Sequence, residues 1–146
     1  MSNRIEDLSD AIINRARKAI AEMNQSQELK ALGVQRVYVN ETRRSLVTQM
    51  AYYSRGRMDP QDVRKMYTAA GLYNLTEDEC KTKITWTLQS KHIEGNAIDI
   101  VPVKDGKIWW NAPDEVWNIM GKIGIECGLR WGGSWEMTPD KPHYEI

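Results

Sequence analysis

The chain has 146 residues, 20 basic and 20 acidic, so its formal net charge is zero and the totals imply no strongly basic face for nucleic acid. Its length and its 41% hydrophobic content suit one domain with one core, and no apolar run approaches the roughly 20 residues that span a membrane. Phenylalanine is missing; six Trp and six Tyr supply the aromatic bulk.

At the N-terminus, Ile5, Leu8, Ile12, Ala16, Ala19 and Met23 recur at three- and four-residue steps. That period predicts an amphipathic helix of about five turns, ending before Gly33. Packing against the core is its expected role, ahead of contact with lipid. The first residues lack the apolar stretch of a secretory signal, so synthesis and retention in the cytoplasm are expected. Val34 to Val39 reads as a strand. A second helix is predicted from about Ser45, with Leu46, Gln49, Met50 and Tyr53 near one face. Asp59-Pro60 is an N-cap followed by proline at the first helical position, and Val63, Met66, Tyr67 and Ala70 stripe the helix that Gly71 closes. Over residues 72–90, Ile84, Trp86 and Leu88 alternate with polar residues, which predicts a strand.

Ala97 to Val103 is the mostly apolar run of a buried strand. Asp105-Gly106 is a hairpin turn signal, with Lys107 to Trp110 returning as its partner. Pro113 to Cys127 is helical by period, lined by Val116, Trp117, Met120 and Ile123 and stopped by Gly128. Trp131-Gly132-Gly133 is expected as a loop before a final strand around His143 to Ile146. Cys80 and Cys127 are far apart and form no C-x-x-C, which predicts reduced, partly buried thiols. Helices come first and strands cluster late, so the fold class is α+β, with helices packed on a small, mainly antiparallel sheet.

The two histidines both lie in short patterns. Ser90 to Asp99 reads S-x-H-x-x-G-x-A-x-D around His92, and Asp140 to Glu145 reads D-x-x-H-x-E around His143. Two imidazoles and one carboxylate, with water at the fourth vertex, suit a catalytic rather than a structural zinc. The seven-residue interval from His92 to Asp99 also fits one face of a helix. Gly95 and the apolar run after it favour a loop leading into a strand, folding His92 back beside Asp99. Gly95 and Ala97 are small enough to leave room for a metal and a substrate backbone. His143 would approach from the last strand. Asp140, three residues earlier, is placed to accept a proton from a water whose pKa a zinc ion lowers toward about 7. Spacing alone leaves the plainer alternative open. A lone histidine is commonly a surface or core residue, and twenty acidic residues generate such intervals by chance. Glu94 and Glu145 are further candidate bases, or simply solvated or hydrogen-bonded. Trp131 and Trp135 either stack on a ligand or pack beside the double glycine.

S-K-H-I-E-G-N-A-I-D-I (residues 90–100), G-L-R-W-G-G-S-W (128–135) and D-K-P-H-Y-E (140–145) together resemble the zinc peptidases of the D-alanyl-D-alanine carboxypeptidase and L-alanyl-D-glutamate endopeptidase family. Within it the likeness is greatest to phage endolysins. A further element, Arg43 to Gln49 followed by Arg55-Gly56-Arg57, resembles the family's R-S-x-x-x-Q stretch and its G-R. The resemblance covers roughly residues 34–146 of a single domain spanning 1–146, with 1–33 as an N-terminal helix.

It implies the compact α+β fold of the D,D-peptidases and the Hedgehog signalling domain. It also implies one zinc ion on His92, Asp99 and His143, with Asp140 as the catalytic carboxylate. Arg44, Gln49 and Ser90 match positions that line the substrate cleft, and the planar fork of Arg44 suits a substrate carboxylate or a developing oxyanion. The implied substrate is the peptidoglycan stem peptide, cut first of all at its L-alanyl-D-glutamate bond. A D,D- or L,D-carboxypeptidase is the alternative, and a non-catalytic zinc-holding binding module is the reading from a different class. The intact Asp140 speaks against that module. The partners implied are the wall peptide alone, with no nucleic acid, no stable membrane insertion and a monomeric state. The implied setting is an endolysin held in the host cytoplasm until a phage pore protein admits it to the wall. The chain departs from the family pattern in carrying Glu41-Thr42-Arg43-Arg44-Ser45 for S-G-Y-R-S, Ser134 for an aspartate, and Tyr144 for a phenylalanine.

Overall fold

A computed structural model describes residues 1–146. In chain order the elements are α1 (Ile13–Gln25), α2 (Gln27–Ala31), β1 (Arg36–Glu41), α3 (Leu46–Ser54), α4 (Pro60–Ala69) and α5 (Glu77–Lys81). They continue with β2 (Ala97–Lys104), β3 (Lys107–Ile108), α6 (Asp114–Glu126), β4 (Arg130–Trp131) and β5 (His143–Glu145). Single 3₁₀ turns occupy Ile5–Asp7 and Gly132–Ser134. The sheet runs β1-β2-β5-β4 with β3 paired to the far end of β2, and every pairing is antiparallel. This is the expected α+β architecture. No helix is long and apolar enough to cross a membrane.

Two clusters of buried side chains form the interior. The larger packs α1, α2 and α6 on one face of the sheet through residues such as Ile12, Met23, Ile98, Ile100, Met120 and Tyr144. The smaller joins α3, α4 and α5 through Ala51, Tyr52, Val63, Tyr67, Leu75 and Cys80. Because strand residues alternate faces, burying Ile98, Ile100 and Tyr144 turns Asp99 and His143 to the opposite side. Both cysteines are free and buried.

The caps fall where the sequence places them. Ser45 Oγ accepts from Thr48 N at 3.1 Å to open α3, and Asp59 Oδ1 accepts from Gln61 N at 2.9 Å to open α4; each such cap stabilises its helix by about 1 kcal/mol.

Five predicted elements differ. The first helix is not continuous: a 3₁₀ turn ends at Asp7, α1 starts at Ile13, and α2 starts afresh after Ser26. The break arises because Ser9 N donates to Gly95 O at 3.0 Å and Ser9 Oγ donates to Asn96 Oδ1, committing this segment to the turn before β2. The apolar positions Leu8, Ile12, Ala16, Ala19 and Met23 are nevertheless all buried. Helix α3 buries Thr48, Gln49, Ala51 and Tyr52, so that of the predicted face Gln49 lies inside while Leu46 and Met50 are exposed. Its inner polar groups are satisfied there, so polarity does not force them to water. Residues 84–88 form no strand. Their carbonyls are taken by side chains instead, Thr85 O by Arg57 Nη2 at 2.9 Å and Thr87 O by Gln49 Nε2 at 2.7 Å. The hairpin partner is only Lys107–Ile108, and the double glycine forms the second 3₁₀ turn rather than an open loop.

Candidate metal centre and active-site cleft

Strand register aligns the centre. Glu41 pairs with Asp99, and Asp99 pairs with His143, so three polar side chains stand in a row across β1, β2 and β5 on the face away from the larger core. Direct cross-strand neighbours have Cβ atoms about 4.5–5.5 Å apart, within reach of one another's side chains.

His92 joins the row from a helical turn before β2. Gly95 N donates to His92 O at 3.2 Å and Asn96 N to Lys91 O at 2.9 Å, the paired bonds of a Schellman motif with Gly95 at φ +76°. A Cβ at Gly95 would lie 3.1 Å from Ser9 N and 3.2 Å from Asp7 O, so both conformation and space call for glycine. The buried His92 ring is fixed by its Nδ1, which donates to Thr42 O at 2.7 Å. A carbonyl only accepts, so in the neutral ring the lone pair is on Nε2.

That Nε2 lies 3.2 Å from Asp99 Oδ1, and His143 Nδ1 lies 3.2 Å from the same oxygen. The two rings meet edge to face, 72° apart with centroids 5.0 Å apart. A nitrogen lone pair facing a carboxylate oxygen needs a cation, proton or metal, to be stable. One donor atom from each of His92, Asp99 and His143 falls within 4.8 Å of the others. A zinc tetrahedron with bonds of about 2.0–2.1 Å has edges of roughly 3.3 Å, so the donor set and its spacing fit that ion.

The electrostatics have the same origin. Burial alone would raise Asp99, but hydrogen bonds and attraction from the two histidines outweigh it and hold its carboxyl far below the usual range. Burial alone would lower His143, but hydrogen bonding to Asp99 and the nearby Glu145 carboxylate lift it to about 9. The His143 ring lowers Glu145, whose Oε2 is 3.9 Å from Nε2. Asp140 is raised by partial desolvation and by the neighbouring Asp99 carboxylate, although its edge is open to solvent at the rim.

Asp140 is set by the 3₁₀ turn. Its N donates to Gly132 O at 2.8 Å, and His143 N donates to Asp140 O at 3.2 Å. A Cβ at Gly132 would sit 2.5 Å from Asp140 O and 3.1 Å from His143 Cβ, so only glycine lets this segment close on the second pattern.

The centre opens into a cleft of about 340 Å³ that both histidines, Asp99, Asp140, Arg44 and Ser90 line. Ser90 Oγ accepts from His92 N at 3.2 Å, which ties the cleft wall to the turn. Gln49, expected on the cleft surface, is instead fully buried behind it. It accepts from Arg44 Nη1 at 2.6 Å and donates to Thr87 O. Arg44 is engaged on three sides: Nε and Nη2 donate to Glu41 at 2.6 and 2.7 Å, and its guanidinium lies 4.8 Å over the Tyr52 ring. Two of the five guanidinium N–H groups are left for a ligand. Glu94 is exposed and accepts from Asn96, outside the cleft, whereas Glu145 lines it. Trp131 packs, its Nε1 donating to Lys141 O at 2.7 Å, while Trp135 borders the cleft with its ring 5.2 Å from His143.

Sequence reasoning missed Glu41 as the clamp on Arg44, the Thr42 carbonyl that orients His92, and Tyr52 on the cleft wall. Only strand pairing reveals the first. A main-chain carbonyl leaves no signal in the sequence.

Residues 83–146 match a protein family described as D-alanyl-D-alanine carboxypeptidase. The L-alanyl-D-glutamate peptidase of Escherichia phage T5 is 41% identical over 63 residues, which is 40% of this chain and 45% of that relative. The aligned stretch thus spans under half of the relative's length. Among solved structures, the Serratia marcescens L-Ala D-Glu endopeptidase ChiX superposes with a TM-score of 0.59 at 21% identity, over 97% of this chain and 82% of that one. The vancomycin-resistance D,D-pentapeptidase VanY, solved with Zn(II), gives 0.52 at 19% identity, over 95% and 72%. At these identities the two structures bear on the fold.

Proposed function

We propose that this chain, with the D-alanyl-D-alanine carboxypeptidase family pattern in residues 83–146, is a zinc-dependent peptidase that cuts the stem peptide of bacterial peptidoglycan. The observation that carries this reading is the single Asp99 oxygen shared at 3.2 Å by two imidazole nitrogens at the floor of an open cleft. His92, Asp99 and His143 would hold the ion. Bound there, zinc supplies Lewis acidity to a substrate carbonyl and lowers the pKa of water.

The chain's own groups do the rest. Thr42 O fixes the tautomer of His92. Asp140 takes the proton of the attacking water and returns it to the departing amine. Arg44, held by Glu41, offers its two remaining N–H groups to a substrate carboxylate or to the oxygen on which charge develops.

The L-alanyl-D-glutamate bond is the first choice, because the phage relative and the Serratia neighbour are both peptidases of that bond. A D,D-carboxypeptidase is the second reading, favoured by the family's description. On either reading the protein acts at the cell wall, and the phage relative supports an endolysin that reaches it when the host membrane is opened. Purified sacculi digested with the zinc-loaded protein and resolved by mass separate the two. New D-glutamate amino termini support the endopeptidase, released D-alanine supports the carboxypeptidase, and intact sacculi with zinc bound would leave a binding module.

A further inference from the structure

Beside the metal centre the cleft continues into a second hollow of about 630 Å³. Ile84, Thr85, Thr87, Trp135 and Asp140 line both, so the two are one surface meeting at Asp140. The second hollow adds Trp86, Met137 and Thr138. Trp86 is 62% exposed, Trp135 38% and Met137 93%, a group of large apolar side chains left in water at the edge of a polar cleft. Such patches mark binding surfaces. Its composition, exposed indoles with Thr138 and Asp140 beside them, suits a ligand that is apolar on one face and rich in hydrogen-bonding groups at its edge. A pyranose ring has that form.

The proposed substrate carries such a ring close to the bond that is cut. The stem peptide begins with L-alanine, joined through a lactyl ether to an N-acetylated amino sugar. When the bond after L-alanine is cut, the sugar lies one extended residue, roughly 3.5 Å, plus the lactyl bridge from the reacting carbonyl. For a bond at the D-alanine end it would lie several residues away. We propose that the Trp86–Trp135 ledge is a subsite for the amino sugar that carries the stem peptide, so that the enzyme recognises glycan-attached peptide over free peptide. This rests on the L-alanyl-D-glutamate reading.

The test compares kcat/KM for N-acetylmuramyl-L-Ala-D-Glu-diaminopimelyl-D-Ala with that for the same tetrapeptide carrying only an N-lactyl group. The muramyl substrate is expected to be preferred about tenfold, mostly through KM, as one good aromatic stack supplies. Trp86→Ala brings the ratio toward one and Trp86→Phe keeps most of it. In the metal-free protein, saturation-transfer NMR with N-acetylmuramyl-L-Ala-D-Glu should show sugar protons receiving magnetisation, and Trp86→Ala should weaken that signal. Equal kcat/KM for the two substrates, or a ratio that Trp86→Ala leaves intact, overturns the subsite while leaving the peptidase in place. Release of D-alanine, or cleavage of neither substrate by zinc-loaded protein, overturns the bond assignment and the subsite together.

Discussion

Asp99 and Asp140 are both carboxylates in one cleft, yet their surroundings push them in opposite directions. Two imidazoles hold Asp99 ionised, and the Asp99 charge together with desolvation makes Asp140 a better proton acceptor than a free aspartate. On the proposed reading this divides a ligand from a base. Asp140→Ala should therefore retain one zinc per chain by metal analysis while wall lysis falls by about 10²–10⁴. Wild-type lysis in that variant would reject the role. His143→Ala, in contrast, should lose the metal itself, and an unchanged zinc content would reject the ligand set. Glu41 makes a separate case. Its ion pair with Arg44 is nearly closed to solvent, with side chains 5% and 11% exposed. Removing one partner strands the other charge, so Glu41→Gln should lower stability by about 3 kcal/mol, read from the urea midpoint. A loss under about 1 kcal/mol, the range of surface pairs, would show that the pair matters little to the fold.

The turn from Lys91 to Asn96 delivers His92 and depends on the left-handed conformation of Gly95 and the close approach of Ser9. Gly95→Ala should cost about 1–3 kcal/mol in denaturant unfolding and weaken zinc binding as well, because the ring shifts with the turn. Full zinc affinity in a destabilised variant would separate the two effects. At this scale the sequence was informative wherever local chemistry decides. Asp59-Pro60, the apolar run of β2, the Asp105-Gly106 turn and the Gly128 stop all lie where their residues place them. It was misleading where tertiary partners override period. Ser9 leaves a helical pattern because Gly95 offers it a carbonyl. Helix α3 buries Gln49 because Arg44 and Thr87 satisfy it. Ile84, Trp86 and Leu88 alternate like a strand but have no strand beside them. The convergence of His92, Asp99 and His143 was legible from residue types and the family resemblance. The Glu41–Asp99–His143 register was not, since pairing across β1, β2 and β5 joins residues from distant parts of the chain.

Across the whole molecule, the metal centre couples folding to pH. His143 is raised to about 9 against an ordinary value near 6.5, so its stabilising contribution in metal-free protein is complete below about 6.5 and is lost as pH rises through 9. Asp99 is lowered, so its contribution is lost only in strong acid. Zinc requires His143 without its proton, and zinc binding near pH 7.5 therefore displaces one. Thermal melts with zinc and with chelator should diverge as pH rises from 6.5 to 9, the metal-free protein weakening while the loaded form holds. A gap that is constant over that range would refute the linkage.

The stretch over residues 84–88 hangs from α3 and from Arg57 by side-chain donors, outside the strand ladder that carries Asp99 and His143. The outer wall of the cleft and the ladder beneath it thus have separate anchorage. A substitution that reshapes the outer wall can therefore leave the register of Asp99 and His143 as it is.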